Sequence, residues 1–195
     1  MGDNADHRTL GSKVLISGEI AAKSEKFAEG YARLRDVTDR DGALPAWAKA
    51  LYMASAAAVK GHDQLLLSEL RRSKDLGLSI NDSRGAALTV FISRGEEVYT
   101  KFTAVVNEVF NDEINVGTNE IPEYPIDRES CLKYFEGYFG FIPPYVKLMA
   151  DDAPRALEGY VLMREFSLAE NLLDAKNVEL LLCTVNAAEF SSRFV

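Results

Sequence analysis

Cysteine is scarce in this chain, and so is positive charge. Only two of its 195 residues are cysteine, Cys131 and Cys183, and no C-x-x-C occurs. That pattern excludes a zinc knuckle, a vicinal dithiol and a disulfide framework. Two free thiols suit a reducing compartment, so a cytoplasmic protein is expected. Lysine and arginine total 22 against 30 aspartates and glutamates, for a net charge of −8. The basic residues are scattered, and Arg71, Arg72 and Lys74 are the densest group. A partner held through its phosphates needs clustered basic residues, so no nucleic acid partner is expected.

Long apolar runs are missing too. The longest uncharged ones, 51–59 and 180–185, are far too short to span a bilayer. The polar start MGDNADHRT lacks the apolar core of a signal peptide, and Asp6 spoils a myristoylation site. No membrane partner is expected. With two histidines, His7 and His62, no metal site is expected, and no motif calls for a cofactor.

What the chain does have is helical period. In 14–37 Ile20, Phe27, Tyr31 and Leu34 recur at threes, fours and sevens. The segment PAWAKALYMASAAAVKG opens on Pro45, placed as a first-turn residue, and is apolar nearly all round, which marks a central helix. Gly61 stops it. A third helix spans 62–76 and ends at Gly77, a fourth is capped by Ser79 or Asn81, and a fifth runs from Glu96 to Phe110. Residues 111–127 are acidic, hold Gly117, Pro122 and Pro125, and read as a linker. Beyond it lie a short helix at 129–136, an aromatic turn (YFEGYFGFIPPY) and a helix from Pro144 to Ala150. Asp151 or Asp152 is placed to cap the next helix, and a last one runs from Asp174 to the chain's end. No segment alternates with period two, so an all-α fold is expected.

The chain also matches itself when Glu29 is laid on Glu158. Glu29-Gly30-Tyr31 then falls on Glu158-Gly159-Tyr160, Leu34-Arg35 on Met163-Arg164, and Leu51 on Leu180. The common pattern, E-G-Y-x-x-[L/M]-R and then a long apolar helix, predicts a tandem duplication. It divides the chain into a first unit at 14–110 and an incomplete second unit at 128–195.

Several residues are placed for chemistry. Glu179, Cys183, Asn186 and Phe190 lie at i, i+4, i+7 and i+11, one stripe of the last helix. That stripe faces either solvent or a cavity, and in a cavity Glu179 would be a desolvated proton shuttle. The matching stripe of the first unit, Ala50, Ala54, Ala57 and Gly61, carries no side-chain polar atom and suits close helix approach. His62 is either a helix-junction residue or a proton donor and acceptor. Around Gly137 and Gly140 the aromatics, Tyr138 and Tyr145 among them, form either a core plug, an oligomer contact or the wall of a small-molecule pocket.

Two segments, FAEGYARLRD…GALPAWAKALYMASAAAVKGHDQLLLSELRRSKDLGLS and GYFGFIPPYVKLMADDAPRALEGYVLMREF…LLDAKNVELLLCTVNAAEFSSRFV, resemble the carboxymuconolactone decarboxylase family, which includes the alkyl hydroperoxidase D type. The resemblance implies a helical bundle of that type that assembles into homo-trimers or hexamers. In the peroxidase branch a Glu, a C-x-x-C and a His three residues on do the chemistry. Of these this chain keeps only Glu179; the cysteine positions hold Ser191 and Phe194, and in the first unit His62 and Leu65. Peroxidase chemistry by that route is thus not expected, since no thiolate is available. Where the decarboxylase branch has a histidine, the first unit has Glu69. Two functions stand open. One is a decarboxylase or lyase acting on a small carboxylated ring compound, with Glu179 and His62 as proton carriers and Cys183, Asn186, Tyr138 and Tyr145 lining the substrate. The other is a non-catalytic binding or structural member of the family.

Overall fold

The computed structural model describes residues 24–111 and 123–191. Among them nine helices and no strand account for 78% of positions, so the fold is all-α, as the periodicity predicts. The expected linker lies largely outside the described residues, as do Val14, Ile20 and Phe194.

Most helix limits follow from local chemistry. Helix α1 (Glu25–Asp39) opens on Ser24, whose Oγ accepts from the Phe27 N–H at 3.2 Å. Helix α2 (Ala46–Val59) begins one place after Pro45, which serves as its N-cap rather than its first turn. Helix α3 (Asp63–Asp75) closes where Gly77, at φ 107°, lets the Leu78 N–H reach back to the Ser73 carbonyl. A left-handed residue there costs glycine nothing. Helix α4 (Ile80–Arg94) is capped by Ser79, and α5 (Glu96–Phe110) has the predicted limits. Helices α6 (Arg128–Phe139) and α9 (Ala175–Ala188) are capped by Asp127 and Asp174, and α7 is Pro144–Asp152. Neither Asp151 nor Asp152 caps α8 (Pro154–Leu168). Both still belong to α7, and Ala153 takes the N-cap without a side-chain bond.

The described residues form two compact units, one of residues 24–111 with 172–191, the other of 123–171. The expected division put α9 with the second unit; it packs instead against α2 and α4 of the first. The reason is apolar cover. Val178, Leu181 and Val185 are fully buried there, so the inner face of α9 is covered within the chain. Helix α2 is the axis of this unit and touches α1, α3, α4, α5 and α9. Its Ala48, Ala50, Leu51 and Ala54 are wholly buried, and small residues let the surrounding helices approach closely. Ser73 of α3 donates to the Trp47 carbonyl of α2 at 2.6 Å, so even the polar atoms of this contact are paired.

Helix α9 also stops short of the expected end. Phe190 takes a left-handed φ of 57°, and the Ser191 N–H returns to the Asn186 carbonyl at 2.9 Å. That closure normally uses glycine, and a phenylalanine there costs about 1–2 kcal/mol. Without a glycine in the sequence the stop is invisible to pattern.

The second unit is a three-helix cluster of α6, α7 and α8 around Cys131, Phe135, Val146, Ala150, Leu157 and Val161. Phe135 is its centre. Tyr160 and Phe139 stack on the ring, and Tyr134 and Tyr145 meet it edge-on.

Candidate functional site

The residues singled out from sequence divide between the two units. Glu179, Cys183 and Asn186 stand on α9 and His62 just ahead of α3, all in the first; Tyr138 on α6 and Tyr145 on α7 are in the second. Glu179 is exposed, so it lacks the desolvated setting of a proton shuttle. His62 is also exposed; it holds the N-cap position of α3, but its side chain makes no capping bond. Neither side chain pairs with the other or with any described residue. Cys183 is half-buried and free, and Cys131 is free inside the second unit. Asn186 is engaged in structure. Its Oδ1 accepts from Arg94 Nη2 at 2.9 Å, tying α9 to the end of α4, and its Nδ2 donates to the Leu182 carbonyl.

A denser polar centre lies between α1 and α3, and the sequence reading missed its connections. Arg35 Nη2 lies 2.9 Å from Glu69 Oε1 and 3.0 Å from Asp39 Oδ1. Arg72 Nη2 lies 2.6 Å from Glu69 Oε2, and its Nη1 is 3.0 Å from Asp39 Oδ1. This last approach is close enough for attraction but off hydrogen-bond geometry, since Nη1 has no hydrogen-bond partner. Arg35 is 6% exposed, Asp39 8% and Glu69 3%, so two cations and two anions neutralise each other away from water. Burial opposes the charge on Arg35, but Glu69 and Asp39 outweigh it and raise its pKa above the ordinary value. The Tyr31 hydroxyl is buried beside this centre without a hydrogen-bond partner among the described residues, and burial raises its pKa. One signal was available in the sequence. Leu66, Glu69, Leu70 and Ser73 share the inward stripe of α3, and Glu69 is its one charged member.

The same arginine of the repeated motif has a different setting in the second unit. Arg164 sits over the rings of Tyr138 at 4.6 Å, Phe139 at 5.5 Å and Phe135 at 5.8 Å. It also hydrogen-bonds Tyr134, whose pKa burial nonetheless raises. Tyr145 is bonded to Tyr160, and burial, with Tyr160 beside it, raises the Tyr145 pKa. Tyr138 and Tyr145 thus share one aromatic cluster. The basic group singled out from sequence, by contrast, is spent on structure. Arg71 pairs with Glu108, Arg72 with Glu69, and Lys74 donates to the Val109 carbonyl.

A third polar contact locks α9 in place. The buried Tyr52 hydroxyl of α2 donates to Asn177 Oδ1, and Asn177 Nδ2 donates to the Asp174 carboxylate. Burial, aided by the Asp174 charge, pushes the Tyr52 pKa up to about 12. An unfolded tyrosine titrates near 10. The stability this proton confers is therefore complete below pH 10 and lost as pH rises from 10 toward 12, by at most about 2–3 kcal/mol. We expect the urea midpoint of the wild type to fall across that window and the fall to be shallower in Tyr52→Phe. Parallel curves would show that Tyr52 does not anchor α9.

Among the described residues no group of three or more His, Cys, Asp or Glu could hold a metal ion, and no helix is long and apolar enough to cross a membrane. Compared with protein-family models, curated proteins and solved structures, the chain matches none of them.

Proposed function

We propose that this chain is a non-catalytic member of the carboxymuconolactone decarboxylase-like class, a helical binding or structural protein. The observation that carries the reading is the state of Glu69. The resemblance puts a histidine of the decarboxylase branch at this position, and here both carboxylate oxygens are taken by guanidinium groups. A buried carboxylate held from both sides in this way is committed to joining α1 and α3. The positions of a peroxidase dithiol hold His62 with Leu65, and Ser191 with Phe194, so no thiolate stands ready to attack a peroxide. A buried charge centre of this kind specifies how helices pack more readily than it performs chemistry.

The second reading, a decarboxylase or lyase on a small carboxylated ring compound, draws support from Glu179, which is exposed and unpaired and so accessible to a solute. Self-association as a trimer or hexamer draws support from Phe27, Leu34 and Val37 of α1, which are 55%, 66% and 71% exposed at near-helical spacing. The free thiols Cys131 and Cys183 favour a reducing cytoplasm.

Incubation of the protein, after its mass in solution is fixed by sedimentation, with carboxymuconolactone and separately with an organic peroxide plus a dithiol tests the reading. We expect a trimer or hexamer and no turnover of either compound. Lactone turnover abolished by Glu179→Gln would establish the lyase instead, and peroxide turnover abolished by Cys183→Ala would move the chemistry to that thiol.

A further inference from the structure

We infer that the exposed apolar stripe of α1 docks on the matching stripe of α8 in a second copy of the chain. The inference rests on the self-association read above and names the faces that meet.

The two stripes fall on each other when the chain is matched to itself. On α1 Phe27, Gly30, Leu34 and Val37 stand at i, i+3, i+7 and i+10, one line of a helix. On α8 the same places hold Ala156, Gly159, Met163 and Phe166. Leu34 and Val37 are more than half exposed, and Met163 and Phe166 nearly half. The inner faces differ: α1 buries Arg35 and Asp39, where α8 has a half-buried Arg164 and a buried Leu168. The sides turned to water are apolar in both. An apolar line left exposed in both units marks a surface that meets protein.

Gly30 and Gly159 sit within these lines. Glycine is a poor helix former, and among the described residues nothing lies within 4 Å of the place a Cβ would take at either. The chain's own packing thus leaves room for alanine there. A helix laid across the line comes closest where the side chain is missing.

Charge selects α8 over a second α1. Along one edge of the α1 stripe run Lys26, Arg33 and Arg40, all exposed. Arg33 pairs with Glu29 and Arg40 with Asp36, each four residues back. On α8 the acids of these pairs stand as Glu158 and Glu165, while Leu162 and Ala169 take the places of their cations. The α1 edge therefore offers basic groups, and the α8 edge offers carboxylates that lack the partner four residues on. Two α1 stripes laid antiparallel would instead set Lys26, Arg33 and Arg40 against the same residues of the other copy, and like charges so placed repel. A contact between two different faces also closes into a three-membered ring, which one face meeting itself cannot build alone.

Sedimentation of the full-length wild type, of Leu34→Glu, of Met163→Glu and of an equimolar mixture of the two variants tests the inference. Each variant alone, having lost one of the two faces, should sediment at one third of the wild-type mass. The mixture should rise to two thirds and no further, because the intact α8 of one variant meets the intact α1 of the other. Both positions are exposed, so the new charge does not enter a core. If either variant fails to melt cooperatively, Val37→Glu or Phe166→Glu on the same stripe takes its place. A variant that keeps the wild-type mass would overturn the inference and leave self-association standing. A mixture no heavier than its components would overturn the pairing of α1 with α8. So would a monomeric wild type, which removes the assembly as well but not the non-catalytic reading, since the turnover assays decide that.

Discussion

Glu69→Ala should lower the unfolding free energy by about 3–5 kcal/mol, the cost of removing one partner from a buried ion cluster. The magnitude follows from charge balance. Arg35 and Arg72 against Asp39 and Glu69 sum to zero at a place where the three members other than Arg72 are less than 9% exposed. Deleting Glu69 leaves a net positive charge away from water and strips Arg35 of its cross-helix partner. Deleting the opposite charges together, as in Arg35→Met with Glu69→Met, leaves Asp39 facing Arg72 and restores neutrality. The double variant is therefore expected to be more stable than Glu69→Ala alone, although it loses more polar contacts. Chemical denaturation of both variants decides the matter. If the double variant is the less stable, the centre is held by individual hydrogen bonds, and charge balance is not what governs it.

Leu181→Ala is the second large effect, at about 2–5 kcal/mol for a fully buried leucine in a core that cannot easily collapse. The substitution is on the helix that the sequence grouped with the second unit, yet the loss should appear in the first. Trp47 lies on α2, against which α9 packs, and it is the chain's one tryptophan. Its fluorescence therefore reports that unit, and the transition it follows should move to lower urea in Leu181→Ala. An unmoved tryptophan transition would mean that α9 does not stabilise the helices it covers.

These two sites show where sequence pattern informs and where it stops. The limits of α5 were legible because Gly95 precedes it and no helical period continues past Phe110. The central role of α2 was legible because Ala48, Ala50, Leu51 and Ala54 leave it no polar side to expose. For α9 the apolar residues Val178, Leu181 and Val185 announced that something must cover them, but period 3.6 does not say what. Contact with α2 and α4 is a tertiary fact, and the repeat drew α9 toward the wrong neighbours. The stop at Phe190 was hidden because its backbone conformation is one that side chain rarely adopts. The ion centre was hidden for another reason. Arg35 and Glu69 are 34 residues apart, and neither residue names its partner. Glu179 shows the limit of spacing: its stripe on α9 faces either solvent or a cavity, and only the packed helices show that it stands in solvent.

Because α9 closes the first unit while the whole second unit intervenes in the chain, the order of synthesis and the order of folding cannot coincide. Helices α1–α5 leave the ribosome with the α2 surface that α9 will cover still bare. At about 5–20 residues per second they wait on the order of several seconds for the strip bearing Val178, Leu181 and Val185. The second unit, made of consecutive helices, can complete its core around Phe135 during that interval. The first unit can finish only by a long-range docking event, whose loop closure the intervening unit shortens once it is compact. Nascent chains arrested before Leu172 should therefore present an apolar α2 face to chaperones, and chains arrested after Ala188 should not.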